Sequence, residues 1–184
     1  MMMGQTEDEF LNGPHITTAS GRLVDPFDPD PCQFYIADIA HALARMPRFG
    51  GHLQRAWTVA QHSLAVCDLV PEEHKLAALL HDSSEAYLMD IPKPIKKRLP
   101  EYERVETVLM QALAKRFGFA FPLHPDVKHA DTFMLHCERH QYLLRTPHTS
   151  SWEAVRVYDG MKFEEVRAAF LQKYKWLVRL GAVR

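Results

Sequence analysis

The sequence predicts an all-α fold, and three observations predict it. Beyond residue 33, apolar residues recur three and four positions apart, the spacing that stripes one face of a helix. Helix-ending signals fall where those stripes stop, at Met46-Pro47, Val70-Pro71 and Gly118. The alternation of strands and helices that builds a parallel sheet is absent, as are a glycine-rich dinucleotide loop, a P-loop and a G-x-S-x-G elbow. At 184 residues the chain fits one domain with a full core. We divide it into an irregular N-terminal arm, 1–33, and a single helical bundle, 34–184.

Composition narrows the function. Hydrophobic content of 47% and charged content of 24% are ordinary for a globular protein. A net charge of -1 gives no basic footprint for a nucleic-acid polymer or an anionic membrane. No apolar run approaches a membrane span, and Met1 to Phe10 holds no apolar signal core. Three cysteines, Cys32, Cys67 and Cys137, are well separated and form no CxxC pair, which fits a reducing compartment. The sequence therefore predicts a cytoplasmic protein. Eleven histidines leave ligand or proton-transfer roles open to a few of them.

In the arm, the steps Asp25-Pro26, Asp28-Pro29 and Asp30-Pro31 hold the chain extended, and Ser20-Gly21-Arg22 permits a short hairpin. Ile36, Ile39, Ala40 and Leu43 then share a helix face that ends near Met46-Pro47. The loop Arg48-Phe49-Gly50-Gly51-His52 reads either as a plain turn or as an anion-binding loop using Arg48 and His52. Thr58 and Gln61 form a capping-box signature that opens a helix. His62, Ala65, Val66 and Leu69 share one face of it, so His62 points to the core side. After Val70-Pro71, a mostly buried helix carries His81-Asp82 and Glu85 and ends near Met89. Asp90 to Lys97 reads as a stiff basic loop that holds Lys96 near that helix end, with Lys97 and Arg98 solvated. Tyr102, Val105, Val108, Leu109, Ala112 and Phe117 mark an amphipathic helix closed by Gly118. The next helix places Asp131 beside Ala130 and runs through Phe133, Met134, Cys137 and Leu144. A polar stretch, Thr146 to Ser151, precedes a last helix whose stripe of Phe163, Val166, Phe170, Tyr174 and Leu177 suits core or oligomer contact.

The chemistry starts at His81-Asp82. Imidazole nitrogen plus carboxylate oxygen is a good ligand pair for a divalent metal, and Glu85, one turn on, can handle protons. A salt-bridged, solvated helix face would show the same dipeptide. Cys67 lies in an apolar helical context and reads as an ordinary buried cysteine.

Further residues fall into line with the pair. His62, His81-Asp82 and Asp131 occur in the order His…His-Asp…Asp. With Val59-Ala60-Gln61-His62-Ser63, Asp90-Ile91-Pro92-x-Pro94-x-Lys96 and Lys128-x-Ala130-Asp131, the chain resembles the HD-domain metal-dependent phosphohydrolases. Within them it is similar to the bacterial 5'-deoxynucleotidases and phage dATP triphosphohydrolases. The likeness covers roughly 34–145. It departs from the deoxynucleotidases in a shorter gap between His62 and His81. It departs also in Arg48-Phe49, which stands nearest to their Arg-Trp pair. The resemblance implies an HD-domain bundle that binds one divalent transition metal through His62, His81, Asp82 and Asp131. Such an N2O2 set suits manganese, cobalt, iron or zinc. Glu85 would orient water or shuttle its proton. Arg48 and Lys96 would neutralise phosphate, Phe49 would pack on sugar or base, and Asp90 would accept from the sugar 3'-hydroxyl. The implied substrate is a deoxyribonucleoside 5'-monophosphate. Alternatives are a dNTP losing triphosphate, or a non-catalytic nucleotide-sensing module. Relatives of this kind are often homo-oligomers.

Overall fold

A computed structural model describes residues 13–144, 146 and 149–181. The first twelve residues of the arm, and Pro147 and His148 of the polar stretch, lie outside the described residues. The fold is all-α, with one two-stranded hairpin.

That hairpin pairs β1 (Ile16–Thr17) with β2 (Leu23–Val24), antiparallel around Gly21 at φ 78°. It is fastened to the first helix, α1 (Ile36–Arg45). Thr18 Oγ1, Ser20 N and Ser20 Oγ all donate to the Asp38 carboxylate, at 2.9, 2.9 and 2.6 Å. Three hydrogen bonds satisfy a carboxylate that is otherwise buried, so the arm from residue 13 is pinned to the bundle.

Helix α1 buries Ile39, Ala40, Leu43 and Ala44, and its chain continues into a tight loop. An isolated bridge between Pro47 and Thr58 closes that loop, with Arg48 N donating to Trp57 O at 3.0 Å and Val59 N to Met46 O at 3.0 Å. Within it Arg48–Gly51 forms a 3-10 turn in which Phe49 adopts φ 55° and Gly50 φ 61°. The closure places Arg48 beside Trp57.

Helix α2 (Val59–Asp68) starts at Thr58 as its sequence predicts. The Gln61 amide donates to Thr58 Oγ1 at 3.3 Å, and Thr58 N donates to Gln61 Oε1 at 2.8 Å. Gln61 Nε2 also donates to the Tyr158 carbonyl at 2.6 Å, which ties the helix start to a distant loop. Residues 59–67 are all buried, so α2 is a central helix rather than an amphipathic one; Leu69, expected on its apolar face, is exposed.

The predicted His81-Asp82 helix is broken. Helix α3 (Lys75–Leu79) stops, residues 80–84 form turns, and α4 (Glu85–Leu88) follows. Ser83 explains the break: its hydroxyl donates to the Leu80 carbonyl at 2.7 Å and its amide donates there at 3.0 Å, which favours a tight turn over a continuing helix. The expected loop Asp90 to Lys97 contains a helical turn, α5 (Lys93–Lys96), entered through Pro92 and Pro94. Helix α6 (Pro100–Phe117) ends at Gly118 in the left-handed region, φ 74°. Helix α7 (Pro125–Glu138) passes into a π-helical turn, Arg139–Leu143. Phe133 and Leu144, expected in its apolar stripe, are exposed. A further helix, α8 (Thr149–Arg156), occupies the end of the stretch expected to be an irregular linker. The last helix, α9 (Phe163–Gly181), buries Val166, Phe170 and Leu177 and packs against α1, α2 and α3. Its stripe is core.

The capping box gives a local test. Thr58→Ala removes one of two reciprocal bonds at the start of the central helix and should cost about 1 kcal/mol. The readout is the urea unfolding midpoint, and an unchanged midpoint would show that packing alone sets where α2 begins.

Candidate metal centre

Four side chains from three segments converge on one point. His62 comes from the middle of α2, His81 and Asp82 from the turn after α3, and Asp131 from α7. His62 Nε2 lies 3.0 Å from Asp131 Oδ1 and 3.7 Å from Asp82 Oδ2. His81 Nε2 lies 3.2 Å from Asp82 Oδ2 and 3.8 Å from Asp131 Oδ1. Ligand atoms of His62, His81 and Asp131 all fall within 4.8 Å of one another.

The other nitrogen of each imidazole decides what faces the centre. His81 Nδ1 donates to the Ala78 carbonyl at 2.7 Å, since a carbonyl only accepts. Nε2 of His81 is buried and makes no hydrogen bond. His62 Nδ1 donates to Glu138 Oε1 at 2.6 Å. In the neutral rings both Nε2 atoms therefore turn lone pairs toward two carboxylates. Four acceptors with no donor among them require a cation, either protons on the imidazoles or a metal ion. The residues fit a divalent transition metal of the imidazole–carboxylate class.

Electrostatics point the same way. Burial pushes the Asp82 carboxyl up, but the His81 imidazole outweighs it and brings the value down to about 2. For Asp131, burial is again outweighed, by hydrogen bonding to His62 and His81, and the carboxyl is held far below its usual range. Burial pulls both imidazoles down, yet Glu138 and Asp131 raise His62, and Asp82 and Asp131 raise His81 well above the ordinary value.

Glu138, Trp57 and the buried role of Arg48 were missed by sequence reasoning. Glu138 is fully buried. It accepts from His62 Nδ1 and from Trp57 Nε1 at 2.8 Å on one oxygen, and from Arg48 Nε and Nη2, both at 3.0 Å, on the other. Burial would push its carboxyl up, but His62 and Arg48 hold it down. The signal available was spacing: Glu138 lies two helical turns after Asp131 on the same helix face. Arg48, read as a phosphate contact, is buried instead, with two of its nitrogens engaged by Glu138 and Nη1 3.7 Å from Asp82 Oδ2.

A cavity of about 920 Å³ opens beside the centre. Asp82, Glu85, Asp90 and Asp131 line it, with Phe49 and Lys96 on its walls. Glu85 is buried and its Oε2 has no hydrogen-bond partner; burial, then Asp82 and Asp90, push its carboxyl well above the usual range. Burial raises Asp90 too, although Arg48 opposes it. The chain reverses at Met89, φ 69° and ψ 156°, to present Asp90 to the cavity. Lys96 is engaged by Glu106. Lys93, Lys97 and Arg139 also line the cavity, so Lys97 is not merely a solvated charge.

No protein-family model matches the chain. Among curated proteins, "Uncharacterized protein YfdR" of Escherichia coli (strain K12) is 42% identical over 126 residues, 67% of this chain and 70% of the relative. "Uncharacterized protein RCAP_rcc00048" of Rhodobacter capsulatus is 34% identical over 187 aligned positions, 87% of this chain and 93% of the relative.

Glu138→Gln tests the buried network. It keeps the shape but leaves the Arg48 cation unpaired, and should destabilise by about 3–5 kcal/mol in urea unfolding at neutral pH. Because the Glu138 carboxyl is held down in the folded state, its contribution is present above the unfolded value of about 4.3 and fades as pH falls through the folded one. The gap between wild type and variant should therefore close in acid. A variant as stable as wild type at neutral pH would rule out the network as a structural support.

Proposed function

We propose that this chain, which belongs to the family of the YfdR and RCAP_rcc00048 proteins, is an HD-domain metal-dependent phosphohydrolase acting on deoxyribonucleoside 5'-monophosphates. One observation carries the reading: two Nε2 lone pairs and two carboxylates meet at the floor of a cavity with basic side chains on its wall. His62, His81, Asp82 and Asp131 would hold one divalent ion, manganese, cobalt, iron or zinc. The ion would supply Lewis acidity toward a phosphoryl oxygen and an attacking water.

The chain's own groups do the rest. Asp131, half exposed and facing the cavity, leaves an open side through which phosphate can reach the centre. Lys93, Lys97 and Arg139 would neutralise the phosphate oxygens, with Lys96 joining them from its pair with Glu106, since positioning and charge dominate phosphoryl transfer. Arg48 acts from behind, holding Glu138 and Asp82 in place. Glu85 keeps a proton at neutral pH on a carboxyl with an uncommitted oxygen, and would deliver it to the leaving sugar oxygen. Phe49 offers an apolar wall to the sugar or base, and Asp90 an acceptor to the 3'-hydroxyl.

A second reading, a dNTP triphosphohydrolase, is favoured by the number of cations along the cavity, more than one phosphate needs. Phosphate and triphosphate release from a panel of dNMPs and dNTPs separates the two, and silence with both favours a sensing module. We place the enzyme in the cytoplasm, on its unpaired cysteines. Among the described residues no helix is long and apolar enough to cross a membrane. We also propose a homo-oligomer, supported by the exposed Trp176 and Val178 on the last helix.

Chelation should abolish hydrolysis, and Asp82→Ala should lose both bound metal and activity. Elemental analysis of an active, metal-free sample would overturn the assignment. Glu85→Ala should keep its metal but lose about 10²–10⁴-fold in turnover. Loss of the metal in that variant would make Glu85 a ligand instead of a proton carrier.

A further inference from the structure

A second group of metal-ligating side chains lies away from the cavity. His74 closes the 3-10 turn Glu72–His74 that leads into α3, while His124 and Asp126 stand at the start of α7. The two imidazoles stack with centroids 4.0 Å apart and planes at 17°. His74 Nε2 stands 3.8 Å, and His124 Nδ1 3.5 Å, from the same oxygen, Asp126 Oδ2. One ligand atom of each residue falls within 4.8 Å of the others.

Hydrogen bonding fixes how His124 faces this oxygen. Its Nδ1 accepts the Asp126 amide N–H at 3.3 Å, so it turns a lone pair, not a proton, toward the carboxylate side. A lone pair and an anionic oxygen at 3.5 Å repel unless a cation lies between them. The helix N-terminus itself disfavours a cation, so the Asp126 charge is what makes the place suitable. His74 is a quarter exposed and His124 and Asp126 about half exposed, which leaves room for water to complete the coordination. Both rings can turn edge-on about χ2, a soft torsion.

We infer that His74, His124 and Asp126 form a second divalent-metal site. Two imidazoles and one carboxylate select zinc, nickel or copper over magnesium or calcium. The site has a position that matters. His74 precedes His81-Asp82 on one segment, and Asp126 precedes Asp131 on one helix. An ion bound there clamps together the starts of the two elements that carry three of the four central acceptors.

The test is titration of the metal-free, full-length protein with zinc chloride, followed by equilibrium dialysis and elemental analysis. Wild type should bind two equivalents. His124→Ala, His74→Gln and Asp126→Asn should each bind one, and Asp82→Ala, altered at the centre, should also bind one. Circular dichroism selects the folded variants, and His74→Gln, a surface change on a short turn, keeps the test alive if a change at the start of α7 unfolds the chain. A folded His74→Gln that binds as much zinc as wild type overturns the inference. If wild type binds one equivalent, lost in His74→Gln but kept in Asp82→Ala, the second site stands and the central assignment falls. No zinc on the wild type overturns both.

Discussion

Glu138 is a charge with no water to solvate it. Left alone at that depth it would take up a proton or refuse to be buried. Its two oxygens instead receive four N–H groups, from His62, Trp57 and both Nε and Nη2 of Arg48. Those donors come from the closed loop and from the central helix, while Glu138 comes from α7. One carboxylate therefore fixes the relative placement of three segments, and through His62 it fixes the tautomer at the centre. The helical core could pack in several ways that satisfy its apolar residues; only a packing that brings these four donors together satisfies Glu138.

The same logic extends outward. Each acceptor at the centre is held by a group that cannot swing into the cavity: His81 by the Ala78 carbonyl, His62 by Glu138. Asp82 and Glu85 sit on either side of a turn stiffened by Ser83, whose hydroxyl also approaches Met110 Sδ at 3.7 Å. Flexible side chains are kept to the far wall, where Lys93 and Lys97 are exposed. Rigid floor and mobile wall are what a site needs if it is to hold an ion tightly and a substrate briefly.

Much of this was legible in the residues. Thr58 and Gln61 announced the central helix because both halves of a capping box lie within one turn, and local hydrogen bonding needs no tertiary partner. Gly118 announced a helix end for the same local reason. His62, His81, Asp82 and Asp131 could be collected because their types share a chemistry. Glu138 could not be read this way: next to Arg139, at the end of a helix, it looks like any solvated carboxylate. Its partners Arg48 and Trp57 lie far away in sequence, and nothing local marks a long-range pairing. Arg48 was misplaced for that reason, its charge assigned to substrate when a buried partner claims it. The break at Ser83 was hidden because two short helical pieces carry the same apolar spacing as one long helix. The helix Thr149–Arg156 was hidden by its polar beginning, although Val155 within it is fully buried.

The π-helical turn at Arg139–Leu143 begins one residue after Glu138. Arg139 and Leu143, its first and last residues, both face the cavity. A π turn holds one residue more than the α turn it replaces, and each residue of helix corresponds to about 100° of rotation. Deleting a single residue there would restore the ordinary helical register and swing everything beyond it around the axis. Asp131 and Glu138, on the upstream side, would stay where they are. The wall of the cavity and its floor are thus separable in inheritance: a one-codon deletion can remodel what the site admits while leaving its chemistry untouched.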